Sequence, residues 1–388
     1  MEAFVEALGE NGALAAAGLA VGIAFGFFAQ RSRFCLRSAV IEFARGHPGG
    51  KLSVWLFAFA TAVVATQALV LAGAFDASDA RQIAARGSLS GAAVGGALFG
   101  IGMILARGCS SRLLVLAAQG NLRSVMSGLV FAVTAQASWT GVLAPLRETI
   151  SAWWTVDGGA SRDLVQRLGI GHGGALVFGL VWLGAAVWWA RRQRVPAWGR
   201  VGAIGVGLAV AAAWWVTCAI AKVSFDPHPI QAISFTGPSA EVLTRVLFAG
   251  DRPPTFDLGL VPGVVVGSFL AASLFGELRL EGFQGGASMR RYILGAVLMG
   301  FGGMLAGGCA VGAGLSGAAI FTMTSWVTLC AMWAAAAATD RLVDGRPSGA
   351  LDQPVPGSRV FRPGGAAGGR AGTSRNDRGW AGAMGARR

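Results

Sequence analysis

Gly295 to Cys309 reads GAVLMGFGGMLAGGC, and Gly95 to Cys109 reads GGALFGIGMILARGC. The stretches agree at Gly95/Gly295, Leu98/Leu298, Gly100/Gly300, Gly102/Gly302, Leu105/Leu305, Ala106/Ala306, Gly108/Gly308 and Cys109/Cys309, always at an offset of 200. A register held this long marks an internal duplication. Each copy closes on Gly-Cys.

The surroundings say what kind of chain was duplicated. Of 388 residues 54% are hydrophobic and 13% charged, with a mean hydropathy of +0.58. No soluble fold has an interior large enough for that much apolar surface, so the solvent for most of it is lipid. The 60 glycines follow no collagen period. They suit helices whose backbones touch inside a membrane. Glu2, Glu6 and Glu10 precede the first apolar run and no Lys or Arg does, so the N-terminus reads as a retained helix rather than a cleaved signal. Five cysteines, an odd number without a CxxC pair, fit neither a disulfide framework nor a thioredoxin-like motif.

Nine apolar runs are long enough to span, at about 11–30, 52–74, 88–106, 122–144, 173–190, 200–221, 258–276, 292–307 and 322–340. With the N-terminus outside, the inner loops and the tail hold 24 of the 32 basic residues and 7 of the 19 acidic ones. That asymmetry fits an inner-membrane protein with a periplasmic N-terminus and a cytoplasmic C-terminus, and it leaves no basic patch calling for nucleic acid. The fold class expected is an all-α polytopic membrane protein. Residues 1–342 form its transport domain, with repeats at about 11–144 and 200–340; residues 343–388, rich in Gly, Arg and Pro, read as a disordered tail, with membrane lipid as a possible contact.

Four further stretches, Phe34 to Phe43, Ser110 to Gln119, Ile233 to Phe248 and Ala310 to Phe321, are too short to span and too apolar for ordinary loops. They read as re-entrant half-helices, the alternative being amphipathic helices lying on the surface. Five spans separate Cys109 from Cys309, so the copies enter the membrane from opposite sides, an inverted-topology repeat. Gly108 and Gly308 are expected to permit the sharp reversal before each short helix. The unpaired N–H groups of that helix then face inward, where they suit an anion. Arg107 reads equally as an attractor of that anion and as a positive-inside anchor. Cys109 and Cys309 are paired by the repeat. Cys35 aligns by the same offset with Phe235, while Cys218 and Cys330 have no partner and read as packing. His47, His172 and His228 fall in predicted loops away from the Gly-Cys turns, so no metal cluster or cofactor is expected.

The motifs RSRFC at Arg31 to Cys35, GIGMILARGC at Gly100 to Cys109, SFTGPS at Ser234 to Ser239 and GFGGMLAGGC at Gly300 to Cys309 resemble those of the YeeE/YedE family of bacterial inner-membrane sulfur transporters. The resemblance covers roughly residues 11–340. It implies an hourglass-shaped helical protein, not an enzyme, that takes up thiosulfate past thiols at Cys35, Cys109 and Cys309. Ser234 and Thr236 of the third motif, with Gly108, Gly308 and Arg107, complete the candidate pathway, and Arg112 and the basic loops draw the ion inward. A TusA-like sulfur carrier is the partner implied. Other sulfur or selenium species stay open as substrates. A membrane thiol-disulfide oxidoreductase needs a closely spaced cysteine pair, a metal transporter needs a ligand cluster, and a scaffold needs only the glycine packing.

Overall fold

Helices occupy every apolar run. The computed structural model describes residues 1–47, 49–248, 253–283 and 285–344; the predicted tail beyond Asp344 lies outside the described residues. In chain order the helices are α1 (Glu2–Leu8), α2 (Glu10–Ser32), α3 (Leu36–Ala44), α4 (Gly50–Leu71), α5 (Arg81–Ala84), α6 (Leu89–Leu105), α7 (Ser110–Ala118), α8 (Leu122–Trp139), α9 (Ala144–Ala152), α10 (Leu164–Leu168), α11 (Gly171–Arg192), α12 (Ala197–Ala221), α13 (Thr236–Phe248), α14 (Phe256–Leu274), α15 (Gly286–Leu305) and α16 (Met323–Val343). A π-helical turn, Gly312–Gly317, stands between α15 and α16, and a two-residue pairing joins β1 (Gly87–Ser88) to β2 (Thr155–Val156).

The protein is an all-α polytopic membrane protein. Long helices stand at all nine predicted runs, α2, α4, α6, α8, α11, α12, α14, α15 and α16. Six helical stretches are long and apolar enough to cross a membrane, or seven if the bent α8–α9 pair counts as one. The margin below nine has a chemical cause. α15 opens on polar residues including Arg290 and Arg291, and α16 carries Thr324, Ser325, Thr328, Thr339 and Asp340. Short helices form at three of the four intermediate stretches (α3, α7 and α13), and the fourth contains the π turn.

Glycines set how these helices meet. A Cβ on Gly18, Gly22 or Gly26 of α2 would stand 2.1, 2.4 and 2.3 Å from the carbonyl oxygens of Phe256, Leu260 and Val264, so α2 and α14 run in parallel with their backbones in contact. The duplicated stretches pack on each other. On α6 a Cβ at Gly95 would meet the Gly302 oxygen at 2.5 Å, and at Gly102 the Gly295 oxygen at 2.6 Å. On α15 a Cβ at Gly302 would meet the Gly95 oxygen at 2.7 Å, and at Gly295 the Gly102 oxygen at 2.7 Å. The crossing is antiparallel, and shifting every number by the repeat offset maps the set of contacts onto itself.

Polar contacts sort into two ends. At one, Arg31 pairs with Glu277, Arg45 with Asp340 and Arg291 with Asp344, while Asn121 bonds Glu281. These are the loops richest in arginine, and we call this the basic end. At the other, His228 pairs with Glu10, Gln231 bonds Asp257, Thr255 bonds Glu241 and Asp163 caps α10; we call it the acidic end. Between them lies a layer of fully buried rings that includes Phe25, Phe99 and Phe235, with Phe25 and Phe235 centred 5.3 Å apart.

Candidate functional site

Two of the three candidate thiols begin a short helix, and the third leads into the π turn. Cys35 is the N-cap of α3 and Cys109 the N-cap of α7, both with extended backbone, as an N-cap requires. Cys309 precedes the π turn, and the Gly312 N–H donates to its sulfur at 3.4 Å. Cys35 and Cys109 make no such side-chain cap bond. In all three places the thiol nevertheless stands at the start of a helical turn, where the dipole is positive.

The structure brings Cys35 and Cys109 together. Each thiol lies within the other's electrostatic reach, and Cys109 Sγ lies 3.4 Å from Ser111 Oγ. The chain has no closely spaced pair in sequence, yet the fold makes one by setting the starts of α3 and α7 side by side. All five cysteines are free. Since α6 runs from the acidic to the basic end and α15 runs back, the Cys35–Cys109 pair lies on the basic side of the molecule and Cys309 on the acidic side. Cys218 is fully buried in α12, consistent with packing, whereas Cys330 is exposed on α16 and packs no core.

The reversal before each short helix falls one residue earlier than Gly108 and Gly308. Arg107 (φ 56°) and Gly307 (φ 75°) adopt the left-handed conformation, as does Arg33 (φ 53°) before Cys35. The neighbouring glycines serve space instead: a Cβ at Gly108 would come 3.3 Å from Leu113 Cδ2, and at Gly308 3.1 Å from the Ala313 nitrogen. They let the returning turn close over the helix end.

Ser234 and Thr236 flank the other thiol level. Ser234 Oγ lies where a Cβ on Gly312 would come within 2.5 Å, next to the turn that donates to Cys309. Thr236 faces Gly303, and its buried hydroxyl has no partner among the described residues. Three polar groups not foreseen from sequence hold this region. Ser316 Oγ donates to the Ile233 carbonyl at 2.7 Å, Gln82 Nε2 to the Gly312 carbonyl at 3.4 Å and Gln67 Nε2 to the Ala319 carbonyl at 2.7 Å. His172, expected in a loop, lies in the first turn of α11 with Nδ1 3.0 Å from Gln67 Oε1, so it supports the second hairpin through Gln67. No group of three His, Cys, Asp or Glu among the described residues is placed to hold a metal ion.

The basic side carries cations that its carboxylates do not pair directly. Asp340 takes Arg45 on both oxygens, at 2.8 and 2.9 Å, and Asp344 takes Arg291 at 2.9 and 3.1 Å. Glu277 accepts from Gln30 and Arg31, and Glu42 accepts the backbone N–H groups of Gly49 and Leu52. The hydrogen-bonded Arg291 guanidinium holds the Asp344 carboxyl below its ordinary range, so that charge is committed. Arg37, Arg107, Arg112 and Lys51 are left with no ion pair among the described residues.

This arrangement of thiols, helix dipoles and cations suits a small anion with a soft atom. A family profile described as sulphur transport matches residues 31–338. The chain is 28% identical over 333 residues to the thiosulfate transporter TsuA of Escherichia coli K12, covering 81% of this chain and 90% of that protein. It is 24% identical over 327 residues to the thiosulfate transporter TsuA of Spirochaeta thermophila, covering 80% and 93%. With its duplicated Gly-Cys hairpins inside the matched region, the chain belongs to the sulphur transport family.

Proposed function

We propose that this protein takes up thiosulfate across the bacterial inner membrane, through a pathway that passes Cys309 and then the Cys35–Cys109 pair. The observation that carries the reading is the thiol placement, with Cys35 and Cys109 at the starts of α3 and α7, Cys309 against the Gly312 N–H, and the two levels separated by the buried rings of Phe25, Phe99 and Phe235. Thiosulfate is doubly negative and ends in a soft sulfur. Thiols and backbone N–H groups offer it several weak donors, which lets it enter and leave, where a single strong site would trap it.

In this reading nine helices span, the four short segments are re-entrant, and the two halves form an inverted repeat. The reciprocal packing of Gly95 on Gly302 and Gly295 on Gly102 supports that symmetry. The basic end faces the cytoplasm together with the C-terminus, because arginine-rich loops stay inside. Gly108 and Gly308 clear the helix starts, Ser234 and Thr236 line the outer level, and Arg107 adds positive potential at the inner one. A TusA-like sulfur carrier is the partner proposed at the cytoplasmic face. Both relatives are named thiosulfate transporters, which favours thiosulfate over other sulfur or selenium species.

Uptake of labelled thiosulfate into proteoliposomes tests the proposal. Cys109→Ala and Cys309→Ala should each lower the initial rate at least about tenfold, on the scale of losing a binding contact in a pathway. Cys218→Ala and Cys330→Ala should transport as the unaltered protein does. The opposite pattern overturns the site, and selenite or sulfite outcompeting thiosulfate overturns the substrate.

A further inference from the structure

We propose that a cavity between α8 and α13 at the acidic end seats the headgroup of a membrane phospholipid that carries both a phosphate and a primary ammonium. The cavity, about 620 Å3, is walled by Gln136, Trp139 and Thr140 at the end of α8 and by Glu241, Arg245 and Phe248 of α13. The repeat points to the phosphate. Arg245 and Thr140 stand at the offset of 200 from Arg45 and Asp340, and α13 packs on α8 as α3 packs on α16. In the first copy Arg45 grips the Asp340 carboxylate on both oxygens, at 2.8 and 2.9 Å. In the second copy the carboxylate is replaced by a threonine hydroxyl, and the cavity opens beside it. A guanidinium fork that fits a carboxylate also fits a phosphate.

The other walls ask for a donor. Glu241 is held by Thr255, whose Oγ1 donates to Glu241 Oε1 at 2.6 Å. Gln136 commits its amide nitrogen to Thr140 Oγ1 at 2.9 Å, and its buried Oε1 accepts from no group among the described residues. Both helices end here, α8 at Trp139 and α13 at Phe248, and the carbonyl end of a helix dipole favours a cation. An anion alone would meet these acceptors unfavourably, whereas a phosphate joined to an ammonium meets each wall with its complement. The surroundings indicate a lipid as the source. Trp139 is 43% exposed and Phe248 73%, and Val246 and Leu247 beside it are exposed as well, so an apolar surface with tryptophan at headgroup level adjoins the cavity. Because α13 carries Thr236 at its other end, a lipid seated here also steadies the outer thiol level. The site does not depend on which anion is carried.

Native mass spectrometry of the purified, delipidated full-length protein, titrated with phosphatidylethanolamine, phosphatidylcholine or phosphatidylglycerol, tests the site. The first phosphatidylethanolamine should bind at least about tenfold more tightly than either of the others, since one lacks the N–H donors and the other lacks the ammonium. Thr140→Asp rebuilds the first copy's carboxylate beside Arg245 and should lower that affinity at least about tenfold. Glu241→Gln should remove the preference over phosphatidylglycerol, and it covers the case in which Thr140→Asp does not fold. Arg86→Gln, an exposed change at the same end and away from the cavity, should bind as the unaltered protein does. The inference is overturned if the unaltered protein shows no preference for phosphatidylethanolamine, if Thr140→Asp and Glu241→Gln titrate normally, or if Arg86→Gln loses as much. Displacement of the lipid by millimolar inorganic phosphate would mark a free-anion site and overturn it too. Its failure is separable from that of the transport reading, because the binding is measured without thiosulfate.

Discussion

The antiparallel contact of α6 with α15 makes a quantitative demand on four glycines. Replacing Gly95 by Ala places a methyl 2.5 Å from the Gly302 oxygen and 2.5 Å from the Ala306 nitrogen; replacing Gly295 places one 2.7 Å from the Gly102 oxygen and 2.5 Å from the Ala106 nitrogen. Ordinary contact begins near 3.4 Å. Each methyl is therefore nearly an ångström too close to backbone, which cannot rotate away as a side chain can. Overpacking of this kind costs about 1–3 kcal/mol. The two substitutions should cost the same within about 0.5 kcal/mol, because their contacts are the same under the repeat. Gly102→Ala and Gly302→Ala form a second matched pair. Gly128→Ala on α8 and Gly184→Ala on α11 are the controls, since nothing lies within 4 Å of the added methyl, and they should gain up to about 1 kcal/mol from helix propensity. Thermal midpoints of the detergent-solubilised protein, read by tryptophan fluorescence, resolve this at roughly 2–4 °C per kcal/mol. A large loss for Gly95→Ala beside none for Gly295→Ala would refute the reciprocal packing, and equal losses in the controls would refute its steric cause.

Two further outcomes follow from single contacts. Asp340→Asn removes a carboxylate that is 1% exposed and bonded twice by Arg45, and should lower stability by about 1–3 kcal/mol; Arg45→Gln combined with it should add little more, and full additivity of the thermal shifts would show the pair is not coupled. Phe235→Ala opens the ring contact with Phe25 between the two thiol levels and should raise chloride leakage from proteoliposomes several-fold, whereas tight vesicles would show that this layer is not the seal.

Hydropathy made the helices legible, because a chain that must satisfy its backbone in lipid has little choice but helix. All nine runs became helices, with ends within a few residues. The offset between Gly95 and Gly295 was equally visible, but its meaning in space was not: only the packing pairs each glycine with a different member of the other copy. The reversal was misplaced by one residue because glycine is the usual left-handed residue and Gly108 is conserved between copies, whereas Arg107 takes that conformation at a cost of about 1–2 kcal/mol. The approach of Cys35 to Cys109 left no local trace, since nothing in either motif reports which distant helix start will lie near it. His172 was read as loop because the apolar run begins at about 173, and its hydrogen bond to Gln67 depends on a neighbour far away in the chain.

The two copies differ most where they would meet the ion. Position by position, Cys35, Arg37, Arg107 and Arg112 of the first correspond to Phe235, Gly237, Gly307 and Gly312 of the second. A symmetric scaffold thus carries an asymmetric lining, with two thiols and three arginines on the basic side and one thiol with hydroxyls on the other. On the proposed orientation this gradient opposes the membrane potential, which resists an entering dianion by about 4.6 kcal/mol per 100 mV, twice the value for one charge. Fixed cations at the inner level lower the energy of the ion there, so the step past the rings is no longer the steepest. They cannot supply net driving force, because a well is left as well as entered. Its depth is limited by water: Arg33, two residues from Cys35, is already 63% exposed, and charges this near the surface are screened. The arginines therefore act on the rate of crossing, and accumulation has to come from whatever removes the ion on the cytoplasmic side.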